Sequence, residues 1–420
     1  MDGNEENVSV GAFMDHRVVI LMSGILLLLV AASWAIRVLQ RHFGHGIDLS
    51  ILNICRSRVQ SWWILFVLLI CSLLLGKAAT TLFFFMISFW ALREYITLTP
   101  TRPADHRTLF WVFFLLTPIQ YLVVGMDDQW FKSVFGISSY QVYSILIPAY
   151  SFLILPAAIA TSNDPKGFLE RVAKIQVGLV ICVYSLSFAP ALLTTTLPLE
   201  RDAPPVIESF AAGMEEKVLV PMGKAISDIA TTAAGGDPHA SVAPESTPPE
   251  GPCDEEAPPE NTAGDAAPDE AVDTTVPAPR STLKSDRLCL LIYFVFLVQM
   301  SDVFQYLWSH FFRKGVVAPT IHAHRTWPGI FAGAMSTALL ALGLWYFTPF
   351  RDWWQPLVTG FVISLMGFAG SMTMSAIKRD RGVDDYGTLV EGHNGVLDRI
   401  DSVCFAAPVF YHLVWIFLHY

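Results

Sequence analysis

Residues Ser375 to Ser402, SAIKRDRGVDDYGTLVEGHNGVLDRIDS, form a polar island between two apolar runs long enough to cross a bilayer. Lys378, Arg379, Arg381 and Arg399 alternate with Asp380, Asp384, Asp385, Asp398 and Asp401, and His393 lies among glycines. A loop this charged is costly at a membrane face unless it binds something, so both the fold and the function are read outward from it.

The flanks of the island set the class. The chain has 420 residues and is 53% hydrophobic, above the roughly 45–50% usual in soluble domains. Windows of roughly 20 apolar residues predict spans near 18–37, 60–76, 78–97, 108–125, 139–161, 175–197, 287–308, 329–349, 356–375 and 402–419. The expected fold is therefore an all-α, polytopic transmembrane helical bundle of about ten spans. Only Gly76 and Lys77 separate the second span from the third, which leaves a tight re-entrant hairpin open there.

The net charge of −10 belongs to one segment. Glu200 to Lys284 holds 17 acidic and 5 basic residues, so the rest of the chain is slightly basic. That segment is rich in Pro, Ala and Thr and poor in aromatic residues, and such a composition cannot bury a core. The expected organisation is an N-terminal membrane region of about six spans (1–198), a disordered acidic insert (199–285) and a C-terminal catalytic membrane region of about four spans (286–420). Val206, Ile207, Phe210, Met214 and Val218 recur at helical spacing and predict one short amphipathic helix at the start of the insert.

Lys and Arg in the short loops orient the bundle. They follow the first, third, fifth, seventh and ninth spans, from Arg37 and Arg41 through Arg93, Arg102, Lys166 and Arg313 to Lys378. This predicts cytoplasmic placement for those loops, with the insert and the N-terminal tail on the opposite side. The tail, MDGNEENVSVGAFMDH, is acidic, which predicts no cleavable signal. After Asn163-Asp164-Pro165, the segment KGFLERVAKIQ reads either as a short helix along the interface or as a connector capping the next span.

Nothing in the composition suggests nucleic-acid binding. The six cysteines are scattered, with no CxxC and no Cys/His spacing that would hold zinc.

Two constellations carry the expected chemistry. Ser301-Asp302-Val303-Phe304-Gln305-Tyr306 lies late in the seventh span and leads into the basic, proline-punctuated loop RKGVVAPTIHAHRTWPG, a candidate anion pocket. In Asp398-Arg399-Ile400-Asp401 the carboxylates are three residues apart, which on a helix puts their Cβ atoms about 5–6 Å apart on one face. Such a pair suits Mg²⁺, which is usually held by one or two carboxylates plus substrate phosphates, and Asp385 is available as a third ligand. Gly392-His393-Asn394-Gly395 gives a turn whose backbone can approach phosphate closely, with Lys378 and Arg379 supplying cations. Each part has a bland alternative: DxxD also occurs on solvated helix faces, and Lys-Arg pairs also anchor topology.

Together these residues resemble the signature of the phosphatidate cytidylyltransferases, the integral membrane CDP-diacylglycerol synthases. The matching positions are Ser375, Lys378, Arg379, Asp385, Gly387, His393, Gly395, Asp398, Arg399 and Asp401. Asp302 with Tyr306 resembles the family's D-x-x-x-Y helix, and Ala318-Pro319 through Arg325-Thr326-Trp327 to Gly329 resembles its S-P-x-K-T-W-E-G loop. The resemblance covers the C-terminal third closely and the N-terminal spans in character only. Asp384 stands where the family usually has Lys, Glu391 where it often has Pro, Asn394 where it has Gly, Arg325 where it has Lys and Pro328 where it has Glu.

The resemblance implies conversion of CTP and phosphatidic acid to CDP-diacylglycerol and pyrophosphate, for phospholipid biosynthesis. It assigns Asp385, Asp398 and Asp401 to a Mg²⁺-centred site, with a second cation allowed, and Lys378, Arg379, Arg325 and Arg399 to phosphate groups. Asp302 joins the nucleotide or metal shell, His393 donates to a phosphate oxygen, and Ser375 and Thr326 complete the CTP-binding set. The expected setting is a bacterial inner (plasma) membrane with the site facing the cytoplasm; a homodimer is compatible with the sequence but not specified by it. Three other functions remain open from the residues: a CTP-dependent polyprenol or dolichol kinase of the same superfamily, a catalytically altered paralogue, and a transporter.

Overall fold

A computed structural model describes residues 15–42, 49–98, 102–162, 164–194, 280–383 and 395–419. The acidic insert with its expected amphipathic helix lies outside them, as does 384–394, which contains Asp384, Asp385, Glu391, His393 and Asn394.

The architecture is helical, as the apolar windows require: with no water to satisfy the backbone, a chain crossing hydrocarbon must close its hydrogen bonds internally. In chain order the helices are α1 (His16–His42), α2 (Leu49–Leu74), α3 (Lys77–Leu98), α4 (His106–Gly125), α5 (Asp128–Phe135), α6 (Ser139–Ala160), α7 (Phe168–Ala191) and α8 (Arg280–Phe311). After a hairpin of β1 (Val316–Ala318) and β2 (His322–Thr326) come α9 (Trp327–Gly343), α10 (Trp354–Arg381) and α11 (Leu397–His419). Among the described residues eight helices are long and apolar enough to cross a membrane.

The other two expected spans are present as shorter apolar stretches, Trp62–Leu74 within α2 and Trp327–Gly343. Seventeen residues in α9 rise about 26 Å, somewhat less than the roughly 30 Å hydrocarbon core. The α2–α3 link is as tight as Gly76-Lys77 suggested, with Gly76 at φ +97°, where a side chain would be strained. α3 alone is a full span, which disfavours a re-entrant hairpin. Residues 168–176 are the first turns of α7, preceded by Gly167 at φ +61°, so the segment after Pro165 caps the next span rather than forming a separate interfacial helix. The two-stranded antiparallel hairpin is the one departure from all-α structure among the described residues.

Three spans, α4, α6 and α7, contain a turn of wider, π-type helix at Val112–Leu116, Leu146–Ser151 and Val180–Ser185. Such turns let helices absorb an extra residue without breaking. The interior is mostly Leu, Ile and Val, with aromatic residues joining the helices at particular contacts. Phe294 stacks on Phe410 at 4.8 Å between centroids, and the buried Tyr143 hydroxyl donates to that of Tyr411 at 3.0 Å, joining α6 to α11. At one end of the bundle, buried Arg171 at the start of α7 pairs with Asp105 (2.7 Å), and Arg102 pairs with Asp164 (2.7 Å).

The C-terminal helices approach one another so closely that small residues are obligatory, the usual solution where lipid gives no hydrophobic drive to helix association. A Cβ added at Gly333 of α9 would lie 2.8 Å from the Gln305 Cα of α8, and one at Gly370 of α10 would lie 2.6 Å from the Asp401 carbonyl oxygen of α11. Overpacking a tight contact typically costs about 1–3 kcal/mol. Gly370→Leu is therefore expected to push α11 from α10 and lower the thermal unfolding midpoint in detergent, measured by tryptophan fluorescence; Gly24→Leu, where nothing lies within 4 Å, is the matched control.

Candidate active site

The polar residues of interest sit at one end of the bundle because antiparallel α8, α9, α10 and α11 bring their ends together there. Asp302 lies nine residues before the end of α8 and Ser402 five residues into α11, depths of about 14 and 8 Å along their helices.

The first cluster is built on α8 and α11. Ser402 Oγ is 2.9 and 3.1 Å from the two Asp302 carboxylate oxygens and 3.4 Å from Asp401 Oδ1. Its single proton donates to one of them at a time, so the hydroxyl lies between two carboxylates from different helices without pairing both at once. The Ser402 backbone N–H donates to Asp401 Oδ1 at 2.7 Å. Arg325, from β2, is only 4% exposed. Its Nη1 donates to Gln305 Oε1 at 2.8 Å, its Nη2 is 4.0 Å from Asp302 Oδ1, and Gln305 in turn donates to the Ser364 carbonyl and hydroxyl of α10. A buried guanidinium needs such partners, because desolvating it costs several kcal/mol.

The second cluster spans α10 and α11: Lys378 Nζ donates to Asp398 Oδ1 at 2.8 Å, with both side chains mostly buried. Ser375 is half-buried one turn before Lys378, Arg379 is exposed and Arg399 is half-buried. Thr326 caps α9, its Oγ1 accepting from the Gly329 N–H at 3.3 Å. Asp385 and His393 fall outside the described residues, and among the described residues no three His, Cys, Asp or Glu side chains group as a metal site would.

Glu94, not among the residues that the sequence singles out, is 6% exposed near the end of α3. Its two oxygens accept from the backbone N–H groups of Val396 (3.0 Å) and Leu397 (2.9 Å), at the very start of α11. Trp90 Nε1 also donates to it at 3.1 Å. A carboxylate here satisfies donors that a helix leaves unpaired and complements the positive end of its dipole. Its signal in the sequence is its charge, since an ionisable residue inside an apolar span is a functional candidate by default.

Arg325 also carries a prediction. Arg325→Met removes the charge but keeps much of the volume, leaving Gln305 Oε1 and Asp302 short of a donor. An unsatisfied buried group costs about 1–3 kcal/mol, and the expected result is a lowered unfolding midpoint, read by thermal shift. Arg325→Lys is expected to recover only part of it, since a lysine lacks the planar fork.

The arrangement brings the carboxylates of Asp302 and Asp401 together at one hydroxyl, with the buried guanidinium of Arg325 beside them. Residues 56–417 match the model of the Cytidylyltransferase family. The chain is 26% identical to "Uncharacterized protein YnbB" of Escherichia coli (strain K12) over 357 residues, 85% of this chain and 86% of that protein. It is 32% identical to a phosphatidate cytidylyltransferase of Staphylococcus aureus (strain COL) over 127 residues, 30% of this chain and 49% of the relative. With a phosphatidate cytidylyltransferase of Haemophilus influenzae it shares 34% over 128 residues, 29% of this chain and 44% of the relative. The chain thus spans about half the length of these two phosphatidate cytidylyltransferases.

Proposed function

The chain belongs to the cytidylyltransferase family, and from that membership we propose that it is a multi-pass membrane CTP:phosphatidate cytidylyltransferase, forming CDP-diacylglycerol and pyrophosphate. The observation that carries the proposal is the meeting of Asp302 and Asp401 at Ser402 Oγ, beside Arg325. It brings side chains from the two parts of the sequence that resemble the phosphatidate enzymes into contact, which supports reading them as one site.

In the proposed reaction an oxygen of the lipid phosphate attacks the α-phosphorus of CTP. The new P–O bond forms as the bond from the α-phosphorus to the bridging oxygen breaks, and pyrophosphate leaves with that electron pair. No protein nucleophile is required, so catalysis rests on positioning and on neutralising charge. Lys378, Arg379, Arg325 and Arg399 are the cations offered to phosphate, with Ser375 and His393 as further donors to the nucleotide. Lys378 pairs with Asp398.

Asp302 and Asp401, the two acidic groups that meet at the Ser402 hydroxyl, would hold Mg²⁺ together with substrate phosphates, the donor set a hard cation prefers, with Asp398 and Asp385 as the further ligands that the family resemblance implies. When bound, the ion supplies charge neutralisation at the phosphates.

The site-bearing end is read as cytoplasmic because the loops there carry most of the Lys and Arg, which puts the site on the side where CTP is available. The test is CTP-dependent pyrophosphate release by the purified chain in mixed micelles. Release is expected only with both Mg²⁺ and phosphatidic acid present, and Asp398→Ala is expected to remove it; no release across a range of phosphorylated lipids would end the proposal.

A further inference from the structure

The link between α4 and α6 is folded as the short helix α5, which the proposed reaction does not use. Its sequence is DQWFKSVF. At roughly 100° per residue, Trp130, Val134, Phe131 and Phe135 fill an arc of about 140°, and Gln129, Lys132 and Ser133 lie on the other side. Both ends are fixed by local chemistry. Asp127 Oδ1 accepts from the Gln129 N–H at 2.8 Å, and Gly136, at φ +71°, closes the helix. Phe131 packs inward at 6% exposure, whereas Trp130, Val134 and Phe135 are each more than half exposed. Burying a large apolar side chain is worth about 1.5–3 kcal/mol, so a helix that holds three of them outward is built for apolar surroundings.

The position of α5 says what those surroundings are. It joins two spans, α4 with 20 residues and α6 with 22, which rise about 30 and 33 Å, enough to cross a hydrocarbon core of roughly 30 Å. It is also tied to the ends of spans. Asp128 Oδ1 accepts from the Ser138 hydroxyl at 2.6 Å and from the N–H of Ser139, the first residue of α6, at 2.9 Å. The Met126 carbonyl accepts from Nζ of Lys77, the first residue of α3, at 3.3 Å. The other end of α3 carries Glu94 against the start of α11, so α5 stands at the end of the bundle opposite the candidate site. Trp353 and Trp354 open α10 at that same end and are exposed as well. Tryptophan gathers at the level of the lipid headgroups, and elements from both halves of the chain thus mark one level.

We propose that α5 lies along the headgroup boundary of the leaflet opposite the site, with Trp130, Val134 and Phe135 set among the first acyl carbons. Its partner is the phospholipid bilayer. An amphipathic helix in that plane buries its apolar face by only about 5–10 Å, which suits a helix of eight residues held between two span ends. The contact fixes the depth of α4 and α6. Through the hydroxyl contact of Tyr143 with Tyr411, at 3.0 Å, it also bears on α11, the helix that carries Asp398 and Asp401. The proposal stands whether or not the chain transfers CMP.

The test reads Trp130 directly. The chain has 12 tryptophans, so the emission of Trp130 is taken as the difference between the wild-type chain and Trp130→Phe, both reconstituted in phosphatidylcholine vesicles. Bromine on the acyl carbons nearest the headgroup is expected to quench that difference several-fold more strongly than bromine near the methyl end or acrylamide in the water. Quenching by acrylamide alone would place the face in water and overturn the proposal. Stronger quenching from the methyl end would place the helix inside the hydrocarbon and do the same. Quenching by none of the three would mean that protein covers the face, a second copy of the chain or a segment outside the described residues, and would also overturn it. Two added tryptophans in the otherwise wild-type chain give the reading without loss of Trp130. The emission added by Val134→Trp is expected to respond to the brominated lipid and that added by Ser133→Trp to acrylamide; identical responses would remove the amphipathic contact.

Discussion

Asp302→Asn is expected to lower the rate of CMP transfer to lipid by about 10²- to 10³-fold, the size seen when one preorganised electrostatic group is lost from an active site. Asn is nearly isosteric and keeps an oxygen that can accept from Ser402 Oγ, now 2.9 Å from the carboxylate. What disappears is the negative charge that faces Arg325 at 4.0 Å and that would share a cation with Asp401. The loss should fall mainly on kcat, measured with saturating CTP, and the Mg²⁺ concentration giving half-maximal rate should rise. Ser402→Ala, which removes the bridging hydroxyl and leaves both carboxylates charged, should cost less. If Asp302→Asn turns over like the wild type, the α8–α11 cluster is structural and the site lies elsewhere.

Glu94→Ala carries the second large effect, and it acts at a distance from the substrate. The substitution strips the acceptors from the Val396 and Leu397 N–H groups, in a buried position where each unpaired group costs about 1–3 kcal/mol. The start of α11 is then free to fray, and Asp398, the second residue of that helix, loses its fixed position against Lys378. Glu94 is a positioning residue: the expected result is a fall in kcat of at least about tenfold with a smaller change in KM, since uniform binding would move KM alone. Glu94→Gln retains one carbonyl oxygen and should restore a substantial part of the rate. Equal losses in Gln and Ala would mean that the charge rather than the cap matters, and no loss in Ala would remove Glu94 from the account.

The membrane architecture was legible because the bilayer imposes a coarse rule, roughly 20 apolar residues per crossing, which the runs around α1, α6 and α11 satisfy without ambiguity. The hairpin at Val316–Ala318 and His322–Thr326 was not: three and five residues are too few for a period-two pattern to emerge, and Pro319 masks what remains. The polar start of α8 at Arg280 was also hidden, since residues 280–285 precede its apolar run and fall in the expected insert. Asp302, Lys378, Asp398 and Asp401 stood out because charge next to an apolar span is conspicuous. Their partners did not. Ser402 and Gln305 are ordinary residues in helical spans, and only the crossing of α8 with α10 and α11 turns them into the bridge between Asp302 and Asp401 and the support of Arg325. Glu94 contacts residues some 300 positions away in sequence, and no local pattern could pair them.

The most direct measurement follows the phosphorus. Purified protein in phosphatidic acid vesicles is given CTP labelled either at the α- or at the γ-phosphate, with Mg²⁺, and the lipid product is separated and counted. The account predicts that α-label enters the lipid in step with pyrophosphate release and that γ-label does not; entry of γ-label into lipid, or release of pyrophosphate with neither label in lipid, would contradict it.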